Sequence, residues 1–457
     1  MPGLALSEIA RITGAVAPGG AGDRVAAGYA IDSRLLARGE VFFALKGDGR
    51  DGHDFAGAAV ERGAAAVVVE RLLAGLPAGA VQMVVPSTLG ALQALAAVVR
   101  GRSKVPVAAI TGSNGKTTTK EMLAHILATR FRVRKSPGNF NNHIGLPLSI
   151  LALGPEDEIL VVELGSNHRG EIAALAAIAR PTVGVVTNVG RAHVGLFGSV
   201  EAVAREKTDL LRGLDAGGRG AVNADDPALA AALGDVKAPL TRFGTVAGAD
   251  LRATDVEVQA DACRFTLGKE TVRLNVGGSH NVANALAAVA AGGLLGITIR
   301  EAARALPGFE PLRMKSASAG GITVIDDTYN ANPDSMAAAL EVLARLDAAR
   351  RVLVMGEMLE LGEAAESLHR EVGRRVEALG IDVFIGIGGL ARFAVAEAVE
   401  AGLRREAAFW YETKAEAKSA LPGIVRSGDA VLVKASRMAG LEEISCFLKA
   451  STVAGRT

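Results

Sequence analysis

Two cysteines in 457 residues, Cys263 and Cys446, are too few for a disulfide framework or a cysteine-rich metal site. They make a reducing, cytoplasmic setting the expectation. Charge of one sign is also lacking, since 50 basic residues stand against 49 acidic ones and the net charge is +1. That balance speaks against a nucleic-acid partner and against an acidic solvating tail. The opening MPGLALSEIARITG has no basic segment followed by a long apolar core, so no signal peptide is read. The most apolar stretch, residues 285–299, is shorter than a membrane span and mostly alanine and glycine. It reads as a buried helix and turn, and no membrane insertion is expected. No short-period repeat and no low-complexity tract occurs.

What is present is apolar mass and one pronounced motif. With 49% hydrophobic residues, the chain has enough apolar side chains for about three domain cores of ordinary size. Residues 105–129 run as an apolar strand, then Thr111-Gly112-Ser113-Asn114-Gly115-Lys116-Thr117, then a helix with Met122, Leu123, Ile126 and Leu127 on one face. Strand, glycine-rich turn and helix in that order make a phosphate cradle. Glycines at 112 and 115 let backbone N–H groups approach phosphates, and the helix N-terminus adds partial positive charge. Lys116 can reach the outer phosphates and the Thr117 hydroxyl can hold Mg²⁺. Ile110 stands where the full motif has its first glycine.

The rest reads as three α/β domains, residues 1–100, 101–308 and 309–457. In the first, a helix is expected over 7–12, strands over 41–45 and 81–86, and a helix followed by a strand over 56–69. Arg34 and Lys46 stand in its polar rim, available to an anionic ligand or simply solvated. In the second, strands over 159–164 and 183–187 place Glu163 and His193 at or just beyond carboxyl ends, where open α/β sheets bind ligands. Beside a nucleotide loop, Glu163 reads as a cation ligand. Lys207, in a helix starting at Ser199, reads by itself as a solvated charge. Ser279 and Asn281 read as caps of an alanine-rich helix. Pro307, Gly308 and Pro311 mark a linker. Beyond it strands and helices alternate again as a Rossmann-like, doubly wound unit, without Gly-x-Gly-x-x-Gly after its first strand, so no dinucleotide site is assigned.

Several of these stretches together resemble the Mur ligase superfamily across all three domains. They are Gly-Ser-Asn-Gly-Lys-Thr at 112–117, Asp32-Ser33-Arg34 with Asp51-Gly52-His53-Asp54-Phe55, Tyr329-Asn330-Ala331-Asn332-Pro333, and Met355-Gly356-Glu357-Met358-Leu359-Glu360-Leu361-Gly362. The resemblance implies ATP-dependent amide formation through an acyl phosphate, joining a UDP-N-acetylmuramoyl-tripeptide to D-alanyl-D-alanine. It implies that Asp32, Ser33, Arg34 and Lys46, with Asn142 and Ser166, meet the UDP-linked substrate. ATP would meet Gly112, Ser113, Asn114, Gly115, Lys116, Thr117 and Thr118, then His280, Asn281, Asn284, Arg313, Asp327, Tyr329 and Asn330. Two Mg²⁺ ions would be held by Thr117, Glu163, His193 and a carbamylated (N6-carboxylated) Lys207, with Lys116, His193 and Lys207 catalytic. Asn332, Glu360 and Arg437 would lie on the dipeptide side. A monomer with small-molecule partners is expected. Ala435 and Leu441 depart from the usual glycine and methionine. Two alternatives stay open: another amino-acid ligase of the superfamily or a folylpolyglutamate synthase, and an ATP-binding protein without chemistry.

Overall fold

The structure is a computed structural model and describes residues 3–17, 22–47, 49–311 and 315–451. Three large sheets organise it. The first has four parallel strands in the order Gly28–Ala30, Glu40–Phe43, Ala66–Val69 and Gln82–Val84. Val41–Phe43 and Ala66–Val69 are buried throughout, as strands covered on both faces must be. The helix Leu6–Thr13 and the long helix Thr88–Arg102 flank this sheet. Ser87 caps the long helix by accepting from the Gly90 N–H. Thr88–Arg102 runs past residue 100 and ties the first domain to the second. Its buried Arg100 donates to the Ala179 and Arg180 carbonyls at 2.6 and 3.0 Å, at the end of the helix Glu171–Ala179. A cation is favourable there because the last carbonyls of a helix carry partial negative charge.

The second sheet has nine strands, in the order Glu270–Leu274, Cys263–Leu267, Leu251–Val258, Leu240–Gly244, Arg219–Asn223, Val183–Val186, Val107–Thr111, Ile159–Glu163 and Val133–Lys135. The last six named, with Leu251–Val258 beside them, pair in parallel, and the segment 251–274 adds antiparallel hairpins. Val107–Thr111 lies between the strands that end at Glu163 and Val186, so three strand ends open on one spot. The helices Lys116–Leu127 and Ser279–Leu294 cover one face together. The latter is buried from Asn281 to Gly292 apart from one residue, because its alanines let it sit close to its neighbours. It begins at Gly278 without a side-chain cap. The capping expected of Ser279 and Asn281 is not realised: Asn281 turns inward and donates to the Gly277 carbonyl at 2.7 Å.

The third sheet runs Lys315–Ala319, Ile322–Asp327, Asp429–Lys434, Arg350–Met355, Val383–Ile387, Ala408–Tyr411, with only the first strand antiparallel. The connection into it is not loose along its whole length. Phe309 is buried and meets the His125 ring edge-on, with 6.1 Å between centroids. Arg313 lies outside the described residues.

Candidate active site

The phosphate loop is set by close approach. Gly115, with φ of 82°, opens the helix Lys116–Leu127, and a Cβ there would lie 2.1 Å from Asn284 Oδ1. A Cβ on Gly112 would lie 2.0 Å from Thr187 Oγ1. Both glycines are therefore required twice over at this turn, for the left-handed backbone and for space. Asn188 clamps the loop from the next strand: its Oδ1 accepts from the Asn114 N–H at 2.9 Å and its Nδ2 donates to the Asn114 carbonyl at 3.1 Å. Lys116 folds back over the turn and donates to the Gly112 carbonyl at 2.6 Å. Sequence reasoning missed Asn188, although its place just past a strand end was a usable signal.

Glu163 ends its strand one step from this helix and is 1% exposed. Its Oε2 accepts from Thr117 Oγ1 at 3.3 Å and from Asn141 Nδ2 at 3.5 Å. Its Oε1 accepts no hydrogen bond and lies 3.2 Å from the ammonium of Lys120, which is fully buried. Lys120 was not singled out from the sequence, where it reads as one more helix lysine.

Lys207 is not the solvated charge that its position in a helix suggests. It is 2% exposed, donates to Ser166 Oγ at 2.7 Å and stands 5.8 Å over the Phe197 ring. Burial, with Lys116 adding repulsion, pulls its amine down to about 7, against attraction from Glu206 and Glu171. Glu206, beside it, accepts from the Gly170 and Ile172 N–H groups at 2.7 and 2.8 Å and so closes the N-terminus of the helix Glu171–Ala179. Ser166 thus faces Lys207.

His193 Nδ1 meets Glu360 Oε2 at 2.5 Å, across from the second domain to the third. Both residues hold left-handed backbone, φ 58° and 62°, which costs about 1 kcal/mol or more each and persists only where the surroundings dictate it. Burial lowers the imidazole below its ordinary value, and Lys116 and Lys207 push the same way, against the pull of Glu360. Arg191, two residues earlier, takes Asp334 with Nη2 at 2.8 Å and Glu371 with Nη1 at 2.6 Å. Asn114 and Asn332 join the same two domains, Nδ2 of Asn332 donating to Asn114 Oδ1 at 2.8 Å. Asn332 also caps the helix Pro333–Ala344. Both Asn332 and Glu360, expected on the dipeptide side, are thus held against the second domain.

Many of these groups line one cavity of about 870 Å³ with residues of all three domains in its lining, the first domain contributing Gln93. Its lining includes Ser113–Thr118, Asn142, Glu163, Ser166 and His193, then His280, Asn281 and Asn284, and from the third domain Asp327, Tyr329, Asn330, Glu360 and Arg437. Asn284 Nδ2 donates to Asn281 Oδ1 at 3.1 Å, and Asn142 Oδ1 accepts from the Gly145 N–H at 2.9 Å. His280 Nδ1 is buried without a hydrogen bond, and burial lowers its ring below the ordinary histidine value. Lys434, buried, reaches Asp327 at 2.5 Å, and the Arg437 guanidinium stacks 5.2 Å from the Tyr329 ring centroid. Asp32, Ser33, Arg34 and Lys46 do not line this cavity. Arg34 pairs with Asp32 at 2.6 Å and Lys46 with Glu70 at 2.6 Å on the rim of the first domain. His53 there is structural, donating to Asp51 while Nε2 accepts from the Glu70 N–H at 2.8 Å. Thr117 and Glu163 come together as expected, while His193 turns to Glu360 and Lys207 to Ser166. Among the described residues no group of three or more His, Cys, Asp or Glu is placed to hold a metal.

Three α/β domains closing on a phosphate loop define a nucleotide-dependent enzyme cleft. Comparison with known families matches residues 26–100 to the Mur ligase family catalytic domain, 110–292 to the Mur ligase middle domain and 312–437 to the Mur ligase glutamate ligase domain. The chain belongs to the Mur ligase family. It is 37% identical to the UDP-N-acetylmuramoyl-tripeptide–D-alanyl-D-alanine ligase of Bacillus subtilis, over 91% of this chain and 92% of that one. To the Escherichia coli ligase of the same name it is 38% identical, over 90% and 91%. Its fold matches crystal structure I of MurF from Acinetobacter baumannii with TM-score 0.88, at 32% identity, covering 98% and 100% of the two chains. It matches MurF ligase from Thermotoga maritima in complex with ADP with TM-score 0.79, at 29% identity, covering 93% and 97%.

Two outcomes follow from this geometry. Gly115→Ala leaves the chain folded and weakens ATP binding about a hundredfold, because the loop must shift by an ångström or more. Titration with a fluorescent nucleotide checks it, and unchanged affinity would show that the close approach is dispensable. The second concerns Lys207, whose amine falls from 10.5 in the unfolded chain to about 7 in the folded one. Below that value both states bind the proton and the full burial cost is present. Between the two values only the unfolded chain binds it, so stability rises with pH. Lys207→Met therefore stabilises the chain most near about pH 6, and the gain shrinks toward about pH 10. Urea midpoints in carbonate-free buffer measure this, and a gain independent of pH would contradict it.

Proposed function

We propose that this chain is an ATP-dependent amide ligase that joins UDP-N-acetylmuramoyl-tripeptide to D-alanyl-D-alanine. It would act as a cytoplasmic monomer in peptidoglycan precursor synthesis. The observation that carries the reading is the single cavity at the three-domain junction, with the phosphate loop on one wall. The names of the full-length relatives supply the substrates. No helix among the described residues is long and apolar enough to cross a membrane, which accords with soluble substrates.

The chemistry follows from a poor electrophile. A carboxylate resists amine attack, so the γ-phosphoryl group of ATP moves to the terminal carboxylate of the tripeptide and makes an acyl phosphate. The dipeptide amine attacks its carbonyl carbon, the C–O bond to phosphate breaks, and inorganic phosphate leaves. The protein's part is positioning and charge neutralisation in a closed site. Lys116, which donates to its loop carbonyls, would turn to the outer phosphates. His280, Asn281 and Asn284 would border the adenosine, opposite Asp327, Tyr329 and Asn330. The first domain, 1–100, would take the uridine diphosphate through Asp32, Ser33, Arg34 and Lys46. The second, 101–308, would bind ATP, and the third, 309–457, the dipeptide beside Glu360 and Arg437.

Magnesium fits the residues present. Thr117 Oγ1 and Glu163 are hard oxygen donors side by side, and Mg²⁺ prefers one or two such ligands with phosphate and water completing the set. Bound there it would neutralise phosphate charge. For a second ion the chain offers His193 and Lys207. An amine near 7 is partly neutral at physiological pH, and only a neutral amine can add CO₂, forming an N–C bond and releasing a proton. The resulting carbamate gives the hard anionic oxygen that Mg²⁺ prefers.

Phosphate release is expected to require both UDP-muramoyl-tripeptide and D-alanyl-D-alanine. If single free amino acids served as well as the dipeptide, the assignment of the acceptor would fail. Lys207→Ala is expected to be nearly inactive and partly restored by high acetate, while removal of CO₂ and bicarbonate weakens the native chain and not the variant. Full activity of Lys207→Ala would end the carbamate reading.

A further inference from the structure

Among the described residues three lysines are almost fully buried: Lys120, Lys207 and Lys434. Lys434 lines the cavity, and Lys207 and Lys120 each touch a residue that does, Ser166 and Glu163. Lys120 is the one to which no role has been given. It sits one turn beyond Thr117 on the helix Lys116–Leu127. Its ammonium donates to the Ser136 and Gly138 carbonyls at 2.8 and 2.9 Å, and lies 3.1 Å from Glu121 Oε1 and 3.2 Å from Glu163 Oε1. An ammonium has three donors, so backbone carbonyls hold it in place and the fixed charge is turned on the two carboxylates.

We propose that Lys120 is a positioning residue that makes Glu163 a one-oxygen ligand and so selects Mg²⁺ over Ca²⁺ at the phosphate loop. This rests on the reading above that Glu163 holds a cation. The two oxygens of Glu163 are unlike. Oε2 faces Thr117 Oγ1 and Asn141 Nδ2, both from residues that line the cavity. Oε1 is buried, accepts no hydrogen bond, and has the Lys120 charge against it. A divalent ion chelated by both oxygens would be brought up against that ammonium, and the repulsion in so dry a place is large. An ion on Oε2 alone keeps clear of it. Mg²⁺ takes octahedral, single-oxygen contacts and keeps its waters, whereas Ca²⁺ takes more oxygens and favours bidentate carboxylates. Lys120 also compensates a carboxylate that would otherwise be buried unpaired before any cation arrives. By holding residues 136 and 138 it fixes the segment that brings Asn141 to Oε2. The Gly165 N–H, donating to the Asn141 carbonyl at 2.7 Å, closes the same arrangement from the Glu163 side.

The test measures binding rather than turnover. Affinity for a fluorescent ATP analogue is titrated with Mg²⁺ alone and with Ca²⁺ alone, in the native chain, Lys120→Met and Glu163→Gln. Lys120→Met is expected to shift the ratio of apparent cation affinities toward Ca²⁺ by about tenfold or more. A loss of affinity equal for both ions, the mark of a merely structural lysine, would overturn the proposal. Glu163→Gln is expected to abolish most of the cation dependence. If it does so while Lys120→Met leaves the ratio unchanged, only the role of Lys120 falls. If cation dependence survives Glu163→Gln intact, the cation reading of Glu163 falls and this proposal with it. Should Lys120→Met not fold, a crystal structure of the native chain with Mg²⁺ and nucleotide decides. One oxygen of Glu163 on the ion, with Lys120 beside the other, supports the proposal; two oxygens on the ion overturn it.

Discussion

The cleft depends on one steric constraint, the contact of the phosphate-loop turn with the start of the alanine-rich helix. With Asn284 Oδ1 only 2.1 Å from where a Cβ of Gly115 would lie, the turn and the helix Ser279–Leu294 occupy adjoining space with no slack. That contact is possible because Ser279–Leu294 buries five alanines and Gly292, so its backbone comes near the helix Lys116–Leu127. Packed interiors transmit such constraints because they hold few voids. The loop cannot move without moving Asn284, which lines the cavity together with His280 and Asn281. The phosphate-loop turn and the side chains of that helix start are therefore held at a set distance by helix packing.

A second layer of order comes from contacts that are individually modest. The pairs Asn114–Asn332, His193–Glu360 and Arg191 with Asp334 and Glu371 join the second and third domains. Their side chains remain partly exposed, and ion pairs of that kind contribute little each. A ligase that must admit three substrates and then exclude water from an acyl phosphate needs a junction of this kind, ordered when closed and inexpensive to open. The backbone of the same junction is tight. A Cβ on Gly190 would lie 2.4 Å from Asp334 Oδ2, and one on Gly195 would lie 2.4 Å from the Gly362 N–H. Close backbone approach sets where the domains meet, while the polar pairs set in which orientation.

Much of the cleft was legible because it is local. Lys116, Thr117 and the glycines at 112 and 115 share one turn, so their spacing states their geometry before any tertiary contact forms. Glu163 and His193 were legible one step less directly. Apolar runs located the strands, and carboxyl ends of parallel strands converge by topology. Lys207 was misread from its own position, because nothing local says that Phe197, Ser166 and the helix Glu171–Ala179 will cover it. Lys120 and Arg191 went unnoticed for the same reason. A lysine four residues past Lys116 looks solvated until residues 136–138 fold over it, and Arg191 has no partner within its own domain comparable to Asp334 and Glu371.

The sequence by itself determined the element order, the three α/β units and the phosphate loop. Each is encoded in short-range periodicity and turn chemistry, which depend on a residue's near neighbours. Only the tertiary structure decided which side chains are buried, which oxygen of Glu163 faces the cavity, and that Asn332 and Glu360 lean on the second domain instead of standing free. Those outcomes depend on residues dozens to hundreds of positions apart being pressed together. Desolvation and pairing, the two effects that set the chemistry of a charged group, act only through such neighbours.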